Sequence, residues 1–354
     1  MYLPGFGWGV IDSCLCKTAG ENINPALEYL KSESVNQLEF LVLTHPHEDH
    51  YLGMEQIIEH YMGKIKRIAY YSGDGLREYR AYLEKQYFLN NGVLLEKLGK
   101  ILGKVEIAKG KGSQVIRIAE RTEIIRRGNF GANDVEMLAL SPSEESVRRY
   151  VEILFRAIPK LNGDKLKELS GSQHNLLAAA IWISFNKTRI ILGSDVEQGD
   201  SNGLTGWSKI ISSIDGPDLS AHFVKVSHHG SSNAFHRNAW EKHAANNFPI
   251  AIITPYVKLE IPLPTEDNIE QIAKYSHPVV VTSKHHLSHA KKIYARSVLK
   301  HTQMMGMRKL KIISEDQEIS SWVSVSISSL NGSVVDCVAG SSAYWANHNA
   351  AVFC

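Results

Sequence analysis

The sequence predicts an α/β fold, and three observations carry that expectation. A continuous apolar run, Leu38–Leu43 (LEFLVL), has the composition of a strand buried on both faces. Helical spacing follows it: Met54, Ile57, Ile58 and Tyr61 fall at i, i+3, i+4 and i+7, so one face packs inward. Residues 66–71 then return to strand character, which completes a strand–loop–helix–strand unit.

The other elements follow in chain order. Residues 8–12 read as a short strand ending in a polar loop, and residues 51–62 as the helix after the first buried strand. Residues 75–104 are helix-rich and basic, as an insertion would be, and residues 115–125 and 135–140 read as strands. Ser141-Pro142-Ser143 breaks the chain before a second helical stretch, residues 144–169. Residues 176–185 and 188–192 flank the pair Asn186-Lys187, a two-residue turn that signals a β-hairpin. Residues 223–226 and Ile250–Ile253 are further buried strands. Pro264-Thr265 opens a helix with Glu266 and Asp267 in its first turn, where the macrodipole favours acids. Residues 278–282 form another strand, and the tail, residues 322–338, alternates about Asn331-Gly332 as a type I′ hairpin does. No repeat or linker interrupts this order. The expectation is one domain over residues 1–354, with helical insertions at about 75–104 and 144–169 and a C-terminal extension at about 290–354.

A chain of 354 residues can bury a large core, and its 44% hydrophobic and 21% charged content are those of an ordinary globular protein. A net charge of +2 neither demands nor excludes nucleic acid, because a local patch matters more than the total. Cys14, Cys16, Cys337 and Cys354 have neither zinc-ribbon nor redox-pair spacing, so free thiols in a reducing compartment are expected. No apolar stretch reaches membrane-spanning length, and MYLPGFGWGVIDSC lacks a charged n-region followed by an apolar h-region. A cytoplasmic protein without membrane association is therefore expected, and the sequons at Asn186 and Asn331 reduce to turn chemistry. Sixteen histidines are the compositional oddity.

Several of them sit together. His45 and His47 follow directly on the buried strand, and alternate residues of an extended chain point the same way, so two imidazoles can grip one metal ion. Asp49 and His50 come where the chain turns into helix and face a displaced point. One six-residue segment thus supplies donors for two adjacent ions. Such nitrogen and oxygen donors suit zinc, with manganese or iron admitted by ligand type.

The segment Thr44-His45-Pro46-His47-Glu48-Asp49-His50, followed by Gly53, resembles the H-x-H-x-D-H signature of the metallo-β-lactamase superfamily. The resemblance implies an αββα sandwich, carrying helical insertions here, and two zinc ions. Other landmarks occur in the family's order. Asp12 resembles the acid that closes an early strand and braces the metal loop. Asp195, in Ile190-Ile191-Leu192-Gly193-Ser194-Asp195, resembles the aspartate that bridges both metals. His228-His229-Gly230-Ser231 resembles the element of the branch containing ComEC and the phosphorylcholine esterases; at least one of the two histidines should ligate, and the other faces substrate. His174 occupies the place of the family's third histidine, although the ComEC-like branch carries Asn there and Asn175 is adjacent. That branch also places a His-Pro after the later Thr-Pro strand; Ile261-Pro262-Leu263-Pro264-Thr265 has no histidine.

The implied activity is hydrolysis by a hydroxide that two zinc ions generate from water at neutral pH. Asp49, Asp195 and His229 would carry the chemistry, with Lys225, Ser231 and Lys284 contacting substrate. His285, His286 and His289 read as a solvated basic patch beside the cleft or, alternatively, a separate metal site. Lysines 97, 100, 104, 109 and 111 form another basic stretch. Basic runs beside a metal cleft suit phosphate backbones, so a phosphodiesterase or nuclease acting on nucleic acid is the first reading. A hydrolase of a small lactam, lactone or thioester is the second, and a non-catalytic binding scaffold the third. His47 stands where a redox di-iron relative carries Glu, and no Gly-x-Ser-x-Gly elbow is present for a serine hydrolase. The helical insertions would roof the cleft or meet a protein partner.

Overall fold

Leu38–Leu43 forms the strand its composition demands, and Leu38, Phe40, Leu41 and Val42 are each at most 1% exposed. The computed structural model describes residues 1–18, 21–71, 93–130, 133–157, 169–258, 261–282, 310–312, 323–327, 334–339, 344–347 and 350–353. The chain divides into two units, residues 1–180 with 199–210, and residues 181–198 with 211–354.

In the first unit five strands lie in the order Tyr2–Leu3, Gly7–Ile11, Leu38–Leu43, Ile65–Tyr71, Gln114–Ile118. The first pair is antiparallel and the rest are parallel. Parallel neighbours need long crossovers, and helices supply them: Pro25–Ser32, Glu48–Tyr51 with Met54–His60, and Val93–Gly110. Leu27 and Leu30, Met54, Ile57 and Ile58, and Leu98, Ile101 and Val105 bring three helices into one apolar cluster with Leu41, Leu43 and Ile68 of the sheet. The hairpin Glu123–Phe130/Asn133–Ala139 and the helix Glu144–Ala157 also belong to this unit, with Tyr150, Leu154 and Ala157 buried.

The second unit's main sheet runs Ile181–Phe185, Thr188–Leu192, Phe223–Lys225, Ile250–Ile253, Val279–Val281, Tyr344–Asn347, Ala350–Phe353. Its three central pairings are parallel, with helices Arg237–His243 and Glu266–Ala273 in the connections. Thr265 caps the latter helix in a reciprocal box with Asn268. A separate three-stranded sheet holds Leu310–Ile312, Val334–Ala339 and Val323–Ile327. Two principal sheets with flanking helices make the chain a mixed α/β protein, consistent with the αββα class expected.

Several boundaries differ from the sequence-based expectation. The single helix over 51–62 is two, because Gly53 adopts φ +83° between them. Its carbonyl accepts the Asn24 side-chain amide at 2.8 Å, and the same Asn24 caps the helix Pro25–Ser32 through the Leu27 N–H at 3.1 Å. The strand over 115–125 is two strands parted by a turn in which Thr122 accepts the Ala119 N–H at 2.9 Å. The hairpin is confirmed with Asn186 at φ +53°, but its first strand starts at Ile181, since Asn175–Leu177 is a 3-10 turn. The helical stretches over 75–104 and 144–169 are described only as Val93–Gly110 and Glu144–Ala157; residues 72–92 and 158–168 lie outside the described residues. The tail hairpin pairs Val323–Ile327 with Val334–Ala339 antiparallel, its turn also lying outside them.

Candidate metal centre

The expected donors divide between the two units. In the first, Thr44 and His45 leave the buried strand with 1% and 0% exposure. Beside them Gly7–Ile11 ends at Asp12, which takes a left-handed conformation, φ +58°. Its Oδ1 accepts the Thr44 N–H at 2.8 Å, and its Oδ2 accepts the Thr44 hydroxyl at 2.8 Å and lies 2.7 Å from His50 Nδ1. An ionised carboxylate only accepts, so Nδ1 of His50 carries the hydrogen and Nε2 keeps its lone pair for a cation. Two backbone bonds lock this loop, Asp12 N–H to the Val42 carbonyl at 2.8 Å and Ser13 N–H to the His50 carbonyl at 2.9 Å.

Two donor pairs result. His45 and His47 offer nitrogens within 4.8 Å of each other, their rings 5.8 Å apart and 17° from parallel. Asp49 and His50 offer atoms within the same 4.8 Å limit, and Asp49 Oδ1 lies 2.5 Å from His47 Nδ1. His174 ends the short helix Gly171–His174 with its ring 6.5 Å from that of His47. Its Nδ1 lies 3.2 Å from the Tyr150 hydroxyl. Burial, then the neighbouring His47, holds the His174 pKa down to about 4, so the ring is neutral at neutral pH. Asn175 is buried in the next turn. Gly171 leaves open the space beside His47, where a Cβ would come within 3.2 Å of Nε2.

In the second unit Thr188–Leu192 runs into Gly193-Ser194-Asp195, and Asp195 is 1% exposed. The turn is held by Gly193 N–H to the Lys225 carbonyl at 2.9 Å and His228 N–H to the Ser194 carbonyl at 2.8 Å. His228, His229 and Gly230 occupy the left-handed region in succession, with φ +44°, +55° and +75°. This strained turn sends the two imidazoles to different surroundings. His229 is buried; its Nδ1 lies 2.8 Å from the Thr254 carbonyl, which accepts its hydrogen and again leaves Nε2 for a cation. Its ring stacks on Tyr256 with centroids 4.8 Å apart at 22°. Asp195 and His229 offer donor atoms within 4.8 Å of one another. His228 stays partly exposed, with Nδ1 3.1 Å from Asn233 Oδ1 and 3.8 Å from Glu197.

Among the described residues, the donor groupings include neither His174 nor His228. The Lys225 ammonium lies 3.4 Å from the Val226 carbonyl, and the Ser231 hydroxyl donates to Asn233. Lys284, His285, His286 and His289 lie outside the described residues. Sequence reasoning missed Thr44, Tyr150, Thr254 and Tyr256 as partners of the histidines. Thr44 stood inside the quoted run, and its neighbour status was legible there. The other three come from segments 24 to 27 residues away from the groups they hold, a separation no local pattern encodes.

No protein-family profile matches the chain, and no curated protein matches it. Among solved structures, a mutant of CmlA beta-hydroxylase is similar at 10% identity, with a TM-score of 0.30, over 62% of this chain and 34% of that one. The chain thus spans about a third of that structure's length. No helix among the described residues is long and apolar enough to cross a membrane. In each unit the donors, imidazole nitrogens and carboxylate oxygens with one imidazole fixed through Nδ1, have the chemistry that suits a divalent metal ion.

Proposed function

We propose that the chain is a metal-dependent hydrolase that holds two divalent cations, zinc first among them, and cleaves phosphodiesters in nucleic acid. In this reading the metal ligands are His45, His47, Asp49 and His50 in the first unit and Asp195 and His229 in the second. The observation that carries it is the treatment of His50 and His229. Each has Nδ1 committed to an obligatory acceptor, the Asp12 carboxylate and the Thr254 carbonyl, as metal-ligating histidines require.

Two such ions would supply a hydroxide nucleophile at neutral pH and neutralise charge on the scissile group. The chain's own groups do the rest. Asp12 and Thr254 hold the two rings, Asp49 orients the attacking water, and His174, kept neutral by burial, stands beside His47 as a further donor. His228, partly exposed and outside the donor groupings, is proposed to face substrate, as are Lys225 and Ser231. The resemblance of His228-His229-Gly230-Ser231 to the ComEC-like element and the basic residues between 97 and 111 favour a phosphodiester over a small acyl substrate.

The test combines metal analysis with turnover. The expected result is close to two ions per chain and cleavage of single-stranded DNA or bis-p-nitrophenyl phosphate, both lost in Asp195→Ala. Turnover of lactones or lactams alone would replace the substrate assignment. A folded wild-type protein that takes up no divalent metal would end the hydrolase reading.

A further inference from the structure

We infer that Tyr256 is a positioning residue for His229, setting the affinity of the cation site to which His229 contributes; this rests on the proposed metal-dependent reading. A ligand imidazole has to be fixed in two senses. Its lone pair must point in the correct direction within the ring plane, and the plane itself must not tilt. The bond from Nδ1–H to the Thr254 carbonyl at 2.8 Å fixes the first, because a good hydrogen bond to a carbonyl is directional. A single such bond leaves the ring able to tilt about the line joining Nδ1 to that oxygen.

Tyr256 closes that freedom. Its ring lies across the imidazole face, with centroids 4.8 Å apart and 22° between planes, in the range of offset aromatic stacking. Thr254 and Tyr256 are two residues apart, directly after the strand Ile250–Ile253, so one short segment delivers both restraints. Tyr256 is itself anchored as the first residue of the strand Tyr256–Lys258, paired with Leu263 in Ile261–Leu263.

His229 sits at φ +55° between two other left-handed residues, so its backbone is itself held in a strained conformation that the surrounding structure has to maintain. His50 reaches the same end by another route: the Asp12 carboxylate holds Nδ1, and the His45 ring lies 4.2 Å away at 57°.

The experiment compares wild type, Tyr256→Phe and Tyr256→Ala by zinc titration and by the long-range proton–nitrogen spectrum of the metal-free proteins. Stacking needs the ring and not the hydroxyl, so Tyr256→Phe should match wild type. Tyr256→Ala should keep the fold and the Nδ1–H tautomer, lose roughly tenfold or more in affinity for one of two zinc ions, and shift the His229 ring resonances as the ring plane is released. Wild-type affinity together with unshifted His229 ring resonances in Tyr256→Ala would overturn the inference while leaving the hydrolase reading intact. A wild type that binds no zinc would overturn both, and a Phe variant as weak as Ala would assign the role to the hydroxyl instead.

Discussion

At the scale of single residues, Asp12 organises more of the first unit's donors than any ligand does. One carboxylate accepts the Thr44 amide, the Thr44 hydroxyl and the His50 imidazole, and its own N–H ties it to the central strand. Asp12→Ala should therefore weaken zinc binding by about 10–100-fold, the usual effect of removing an outer partner of a ligand histidine. Zinc titration checks this, and an unchanged affinity would show that the loop holds His50 by itself. The histidine run and Asp12 were both legible in the sequence, since imidazoles and carboxylates set densely at the end of a buried strand point to a cation. The division of labour at 228 and 229 was not. It depends on which ring meets the Thr254 carbonyl and which meets Asn233, and two neighbouring identical side chains carry no local sign of that.

Elements were legible wherever periodicity alone decided them. Leu38–Leu43, Ile250–Ile253 and the hairpin turn at Asn186 stand where apolar runs and turn chemistry put them. The break at Gly53 was hidden because the apolar stripe continues across it; what interrupts the helix is a side chain from residue 24 taking the carbonyl. A Cβ at position 53 would lie 2.6 Å from Asn24 Nδ2 and 2.8 Å from Leu15 Cδ2, in a conformation L-residues avoid. Gly53→Ala should cost roughly 2–3 kcal/mol, the sum of left-handed strain and a steric shift. Urea denaturation measures it, and a loss below about 0.5 kcal/mol, the scale of ordinary surface substitutions, would mean the two short helices tolerate rearrangement.

At the scale of the whole molecule, buried neutral histidines tie folding to pH. His243 is 2% exposed, its Nδ1–H donates to the Leu219 carbonyl at 3.0 Å, and burial holds its pKa down to about 4. Below its ordinary pKa near 6.5, the unfolded chain takes up a proton that the folded one refuses until about 4. Stability is thus fully present above about 6.5 and falls with pH through that window, by about 3 kcal/mol. His222 and His236, also lowered first by burial, act in the same direction. His243→Gln should lose less stability between pH 7 and pH 5 than wild type does, measured by chemical denaturation; equal losses would remove His243 from the account. The turn at His228, His229 and Gly230 bears on the same balance from the opposite side. Two non-glycine residues held left-handed consume folding free energy on the order of 1–2 kcal/mol each. A thermostable descendant selected without regard to catalysis would drift toward glycine there, gaining robustness and surrendering the imidazoles. Persistence of that turn in a working enzyme would therefore mark a position where selection has preferred chemistry to durability.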